Sequence, residues 1–280
     1  MSGAPAHRPL AASSRSARPR VPGAGDLGDT ASALVPEAAF LGAGESPAAD
    51  AASERLARLR GGEWGQAFQT TPHPAHNALF ATAHASARAI GSALSAPVPA
   101  LEEFFARGAA EGPGSAPASE LVPILAPHGL GLRAWQRAAA HTALLPAIAC
   151  ATELRRWLPA LDRAPAASVG AVRARAARGP VTWTLRWISA AATPGGLGEP
   201  LTPEVAAAAP SLPEMLALQA SLRFAGLPLV DEHSFTWLAG ALPDPALAAR
   251  HTYDAATDAI RLSARVRADR GAHVGSRGAR

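Results

Sequence analysis

The stretch PAHNALFATAHASAR, residues 74–88, sets His76 and His84 in an apolar pattern, with His73 just before it. Imidazole is the side chain that both binds metals and exchanges protons near neutral pH. Leu79, Ala83, Ala87, Ile90 and Leu94 recur at three- and four-residue spacing, which predicts a helix over 75–94. On that helix Asn77, His84 and Arg88 share one stripe. His84 falls mid-helix at the border of the apolar face, so it is the leading candidate for acid–base or ligand chemistry. A hydrogen-bonded polar face is the alternative. His73 and His76, beside Pro72 and Pro74, read as surface residues at the helix entrance.

A second constellation lies near the end of the chain. His251, Asp254 and Asp258 stand at i, i+3 and i+7, and Arg261 and Arg265 continue the series. Asp244-Pro245 is a helix start, and a last helix is expected from there to Arg267. On a helix this face is either a solvated run of ion pairs or a ligand histidine with Asp254 orienting it. His141 reads as a satisfied core histidine. Glu102 and Glu103 are adjacent, so on a helix they point apart.

Several chemistries lack their motifs. Cys150 is the only cysteine, which excludes an internal disulfide and a cysteine-based zinc site. There is no HExxH, phosphate-binding loop or Gly-x-Ser-x-Gly elbow, and no Glu-x-x-His pair for a di-iron bundle. GAGDLG at Gly23–Gly28 matches a dinucleotide fingerprint, but SARPRVP before it is no buried strand, so a linker is expected there.

The elements that must carry these residues come from 280 positions, 48% of them apolar. That is enough for one large domain. No apolar run is long enough to span a membrane. The net charge of +4 is unevenly spread. Residues 1–20 carry four Arg and no acid, residues 261–280 carry six Arg and Asp269, and the body between them is mildly acidic. A DNA-reading face needs the opposite arrangement, so nucleic acid is not an expected partner. The Arg- and Ser-rich start resembles a transit peptide. Zero Lys with abundant Ala, Arg, Gly and Pro instead favours a bacterial cytoplasmic protein with a disordered basic tail over 1–30.

Asp50 can cap AASERLARLR, and ALEEFFARGAAEG is a short helix. Leu132 to Leu161 is a long apolar segment broken near Pro146. Thr202-Pro203-Glu204 and the capping box Ser211-x-x-Glu214 start further helices. VTWTLRWIS alternates like a strand, but one strand makes no sheet, and the same residues could lie in a helix. The expected fold class is therefore all-α, a bundle of about eight to ten helices. It would form a single helical domain over 31–268, followed by a basic Gly-rich tail over 269–280.

Leu79-Phe80-Ala81-Thr82-Ala83-His84 resembles a segment of the haem-dependent tryptophan 2,3-dioxygenase superfamily, in which a Leu-Phe pair precedes a distal-pocket histidine on an early helix. Arg250-His251, with Ala255, Ile260 and RGAHVGSRG, is similar to the segment carrying that family's axial ligand. The likeness covers two short pieces. Ala85 stands where the dioxygenases carry Gln, which points to the aromatic hydroxylase branch, bacterial enzymes of antibiotic biosynthesis acting on tyrosine. The resemblance implies an iron-binding oxidoreductase with haem b as cofactor and His251 as axial ligand to the haem iron. His84 would be the catalytic distal residue, and Arg137 the substrate-binding clamp on the carboxylate of a small aromatic substrate. Trp135, Trp183 or Trp187 would line the pocket, and a homo-oligomer is compatible with it. The alternative is a non-catalytic helical binding or regulatory protein.

Overall fold

A computed structural model of the chain describes residues 76–107, 121–165, 171–176 and 179–280. All of them belong to the unit Glu45–Arg280. The 1–30 tail, GAGDLG, the helix expected after Asp50 and His73 lie outside the described residues. Among the described residues the fold is mixed α/β, with six α-helices and two sheets, and this overturns the expected all-α bundle.

In chain order α1 (Asn77–Leu94) and α2 (Leu101–Phe105) precede β1 (Leu121–His128) and α3 (Leu132–His141). Then come β2 (Ala147–Cys150), α4 (Leu158–Leu161), β3 (Val172–Ala176) and β4 (Gly179–Ser189). The last part holds α5 (Pro203–Ala208), α6 (Leu212–Ala225), β5 (Phe235–Trp237), β6 (Leu247–Asp254), β7 (Ala259–Val266) and β8 (Val274–Gly275).

The first sheet has the order β1-β4-β3 and is antiparallel. The alternation in VTWTLRWIS does make a strand, β4, and it is central: Trp183 through Ile188 are all buried. Its partner β1 carries Pro123 and Pro127. Proline cannot donate to a ladder, so such a strand belongs at an edge, where β1 lies.

The second sheet has the order β2-β7-β6-β5-β8. Its centre is the β6–β7 hairpin, with Leu247 opposite Val266 and Asp254 opposite Ala259. This hairpin stands where one long helix was expected. The reason is a period of two. Leu247, Ala249, His251 and Tyr253 share one side with Ile260, Leu262, Ala264 and Val266, because directly paired residues project to the same face. The Ala and Arg between them favour helix locally, but packing of the alternate face decides.

Helix α6 joins the sheets. Ser211 and Glu214 form the expected capping box, and Gly226 ends the helix at φ 73°. Every residue from Leu212 to Ala220 is buried. A helix apolar all round must be enclosed by protein. Glu214 reaches Arg186 of β4, while Gln219 reaches His251 of β6. Helix α1, as expected, buries Phe80, Ala83, Ala87, Ile90 and Leu94 in the same core. The segment 269–280, expected as a tail, contains β8 and then returns to β4. There the Trp187 N–H donates to the Arg280 carbonyl at 2.9 Å, and the Arg280 N–H donates to Trp187 at 3.0 Å. A second, smaller core of Leu201, Trp237, Ala248 and Val274, with Val205, Ala206 and Phe235, lies on the outer face of the second sheet under α5.

Candidate functional site

His251 lies on β6 and faces inward, fully buried. Its Nδ1 is 3.2 Å from Oδ2 of Asp231, and its Nε2 is 3.4 Å from the Gln219 amide nitrogen. That amide is fixed by Val230: its nitrogen donates to the Val230 carbonyl at 2.8 Å, and its oxygen accepts from the Val230 N–H at 3.2 Å. The partners fix the orientation of the ring, Nδ1 toward the Asp231 carboxylate and Nε2 toward the Gln219 amide.

Asp231 precedes β5 at φ 67°. Its carboxylate also accepts from Thr236 at 2.8 Å and from Arg277 Nη2 at 2.6 Å. Arg277, fully enclosed, also donates from Nε to the Thr236 hydroxyl at 3.1 Å and to the carbonyls of Ser189, Ala191 and Ala192. Burial pushes the Asp231 carboxyl up, but the hydrogen bond from His251 and the Arg277 charge outweigh it, so it stays below its ordinary value.

A second buried cluster serves the first sheet. Glu214 accepts from Arg186 Nη1 at 3.1 Å and from the Thr184 hydroxyl at 3.3 Å, and the Ser211 N–H caps onto it at 2.8 Å. Arg186 also donates to the Ala279 carbonyl at 2.6 Å. His128 meets the Thr184 hydroxyl at 2.9 Å. Burial drives His128 down to about 4, so it is neutral at pH 7. The acids, histidines and arginines of both clusters are buried.

The residues expected to act together are dispersed. His84 lies half-buried on α1, its Nε2 3.3 Å from the Pro99 carbonyl, and burial holds its pKa below the ordinary value. It borders an open groove of about 470 Å³ with Arg88, Ser92, Ser95 and Val98. Arg137 is exposed on α3 and lines none of the described cavities. His141, expected in the core, is exposed at the end of α3. Trp135, Trp183 and Trp187 are buried core residues. Asp254 pairs with Arg261 instead of orienting His251, and Asp258 pairs with Arg223.

These positions do not fit a haem. Both His251 nitrogens are engaged inside the sheet, so neither is offered to an iron. Among the described residues no three His, Cys, Asp or Glu side chains are grouped to hold a metal ion.

The chain matches no family model, no curated protein and no solved structure. Its own geometry is what points to function.

The outer face of the second sheet is different from its buried interior. Trp237 pairs with Arg250, which pairs with Ser263, so the three side chains share that face. Arg261 and Arg265 flank Ser263 on the same side. The Arg250 guanidinium stacks on Phe235, 3.8 Å from the ring centre, where the small second core ends. Its Nε donates to the Ser263 hydroxyl at 3.0 Å. Its Nη1 is buried with no acceptor among the described residues. Burial and the Arg265 charge pull Arg250 below its ordinary pKa, against Asp269. Arg265 donates to Asp269 at 2.7 Å, and Arg261 pairs with Asp254. Sequence reasoning grouped Arg261 and Arg265 but placed them on a helix. It missed Arg250 as a site residue, along with Asp231, Gln219 and Arg277 as the partners of the buried cluster.

Proposed function

We propose that the chain is a non-catalytic binding module that docks an acidic polypeptide segment on the arginine-bearing part of the outer face of its five-stranded sheet, beside the part that α5 covers. The carrying observation is Arg250: a guanidinium half-buried against Phe235, beside Arg265, with no carboxylate hydrogen-bonded to it among the described residues. Asp269, whose charge acts on it, is bonded to Arg265, so a further anion brought by a partner would relieve the crowding of the two guanidinia. Arg261 and Arg265 on the same face already hold single carboxylates, Asp254 and Asp269, so the surface has the geometry for that group. The acidic body of the chain works against a polyphosphate partner. The burial of both acid–histidine clusters supports binding over catalysis.

Fluorescence anisotropy with labelled poly-glutamate tests this at low salt. The expected result is saturable binding that weakens with salt and falls at least about tenfold in the double variant Arg261→Glu, Arg265→Glu. Unchanged binding in that variant overturns the reading. Tighter binding of single-stranded DNA to the same face would assign a nucleic acid in place of a polypeptide.

A further inference from the structure

Resting on the acidic-segment reading, we infer that the segment enters as an added strand, on the stretch of β7 that β2 leaves uncovered. Strand β2 pairs with Ala259–Leu262 and stops there. Its ladder ends where the Ala151 N–H donates to the Leu262 carbonyl at 2.9 Å. The chain then turns away, the Leu154 N–H donating to the Ala151 carbonyl at 3.0 Å. Strand β7 runs on to Val266. Successive residues of a strand turn their backbone groups to opposite neighbours. Leu262 faces β2, so Ala264 and Val266 face the same edge further along, where no strand lies among the described residues. The Val266 carbonyl is taken by the Asp269 N–H at 3.0 Å. The N–H and carbonyl of Ala264 and the N–H of Val266 are left for a new strand.

This edge is open to solvent. Val266 is 49% exposed. A groove of about 370 Å³ lies here, lined by Leu247, Ala264, Arg265, Val266, Ala268 and Asp269, and the turn after β2 does not line it. The two sides of the edge set the chemistry of the guest. On the inner side stand Leu247, Ala264 and Val266, all apolar. On the outer side Arg265 stands beside Arg250, and the pair has one carboxylate between them, Asp269. A strand laid against β7 alternates its side chains between those two sides. The fitting sequence therefore alternates apolar residues with acidic ones. Main-chain bonds hold it, and the alternate side chains select it. A second copy of the chain would bring its own Arg265 to the same short edge, like charge to like, so a foreign acidic segment is the better guest.

The test reads backbone pairing directly. Full-length protein is titrated with labelled peptides of alternating Glu and Val: one unmodified, one N-methylated on its Glu amides, one N-methylated on its Val amides. An added strand turns only alternate amides to its host. One methylated peptide should therefore lose about tenfold in affinity, and the other should stay within about twofold of the unmodified peptide. Which one fails reports the direction of the strand. Equal affinity of all three, or equal loss in both methylated peptides, overturns strand addition. Val266→Pro removes an edge N–H that lies outside the β6 ladder, and a loss of about threefold or more is expected, with urea unfolding midpoints as a control for folding. Parent-like affinity in the folded variant overturns the placement on β7. Poly-glutamate separates the two claims. If neither it nor the alternating peptide binds, the acidic-segment reading falls; if it binds and the methylated peptides match the unmodified one, strand addition alone falls. A dimer of the free protein that the peptide dissociates would seat a second copy on this edge and overturn the foreign guest.

Discussion

Glu214 and Gln219, five residues apart on α6, hold opposite sheets. At 100° per residue they project to different sides of the helix. Glu214 takes Arg186 and Thr184 of β4, and Gln219 takes His251 of β6 together with both backbone groups of Val230. The helix is thus a polar tie through an apolar core.

The two ties should fail differently. Glu214→Ala leaves Arg186 buried without its carboxylate, at an expected cost of about 3–5 kcal/mol. Gln219→Leu strands the Val230 N–H and carbonyl, at about 1–3 kcal/mol. Urea unfolding measures both. A Glu214→Ala protein as stable as the parent would show that Arg186 finds another partner.

Stability should also carry two opposed pH slopes. Burial raises Asp162 from 3.8 to about 6, against hydrogen bonds from Gly131 and Gly129. Its favourable contribution is complete below 3.8 and lost as pH rises through about 6. His128 is depressed from 6.5 to about 4, so its contribution is complete above 6.5 and lost as pH falls through about 4. Each shift corresponds to about 3 kcal/mol. Relative to the parent, Asp162→Asn should lose stability more steeply from pH 6.5 to 4, and His128→Gln less steeply. Unfolding midpoints across that range check the signs, and parallel profiles for all three proteins would contradict them.

Gly91 offers a steric test. A Cβ there would lie 2.5 Å from the Ala96 carbonyl oxygen and 2.7 Å from Val98 Cγ2. The chain leaving α1 folds back onto this glycine, with the Ala96 N–H donating to the Gly91 carbonyl at 2.8 Å. Gly91→Ala should cost about 1–3 kcal/mol through overpacking, despite alanine's better helix propensity. A gain in thermal midpoint would show that the turn yields freely.

The sequence-based expectations that held were those resting on local chemistry. The α1 periodicity and the caps at Thr202 and Ser211 are each contained within one segment. The β6–β7 hairpin was misread because its Ala and Arg suit a helix, while its faces are decided by α6 and α5 far away in sequence. His251 drew attention for the right residue type and the wrong neighbours. Asp254, three residues on, looked like its partner, whereas Asp231 lies 20 residues upstream and Arg277 lies 46 beyond Asp231. Nothing in the spacing marks such a set. Arg250 was hidden in the same way, since its ring and its hydroxyl come from different strands.

The reach of Arg277 has a consequence for the order of events during synthesis. Its guanidinium closes onto carbonyls 85 to 88 residues upstream and onto Asp231, 46 residues upstream. At typical elongation rates Asp231 waits roughly 2 to 9 seconds for that partner to be made. Until then that carboxylate has Thr236 and His251 as partners but no cation, while α6 is already tied to β4 through Glu214. The polar cluster of the second sheet therefore closes only once Arg277 has been made and has folded back onto Ser189, Ala191, Ala192 and Asp231.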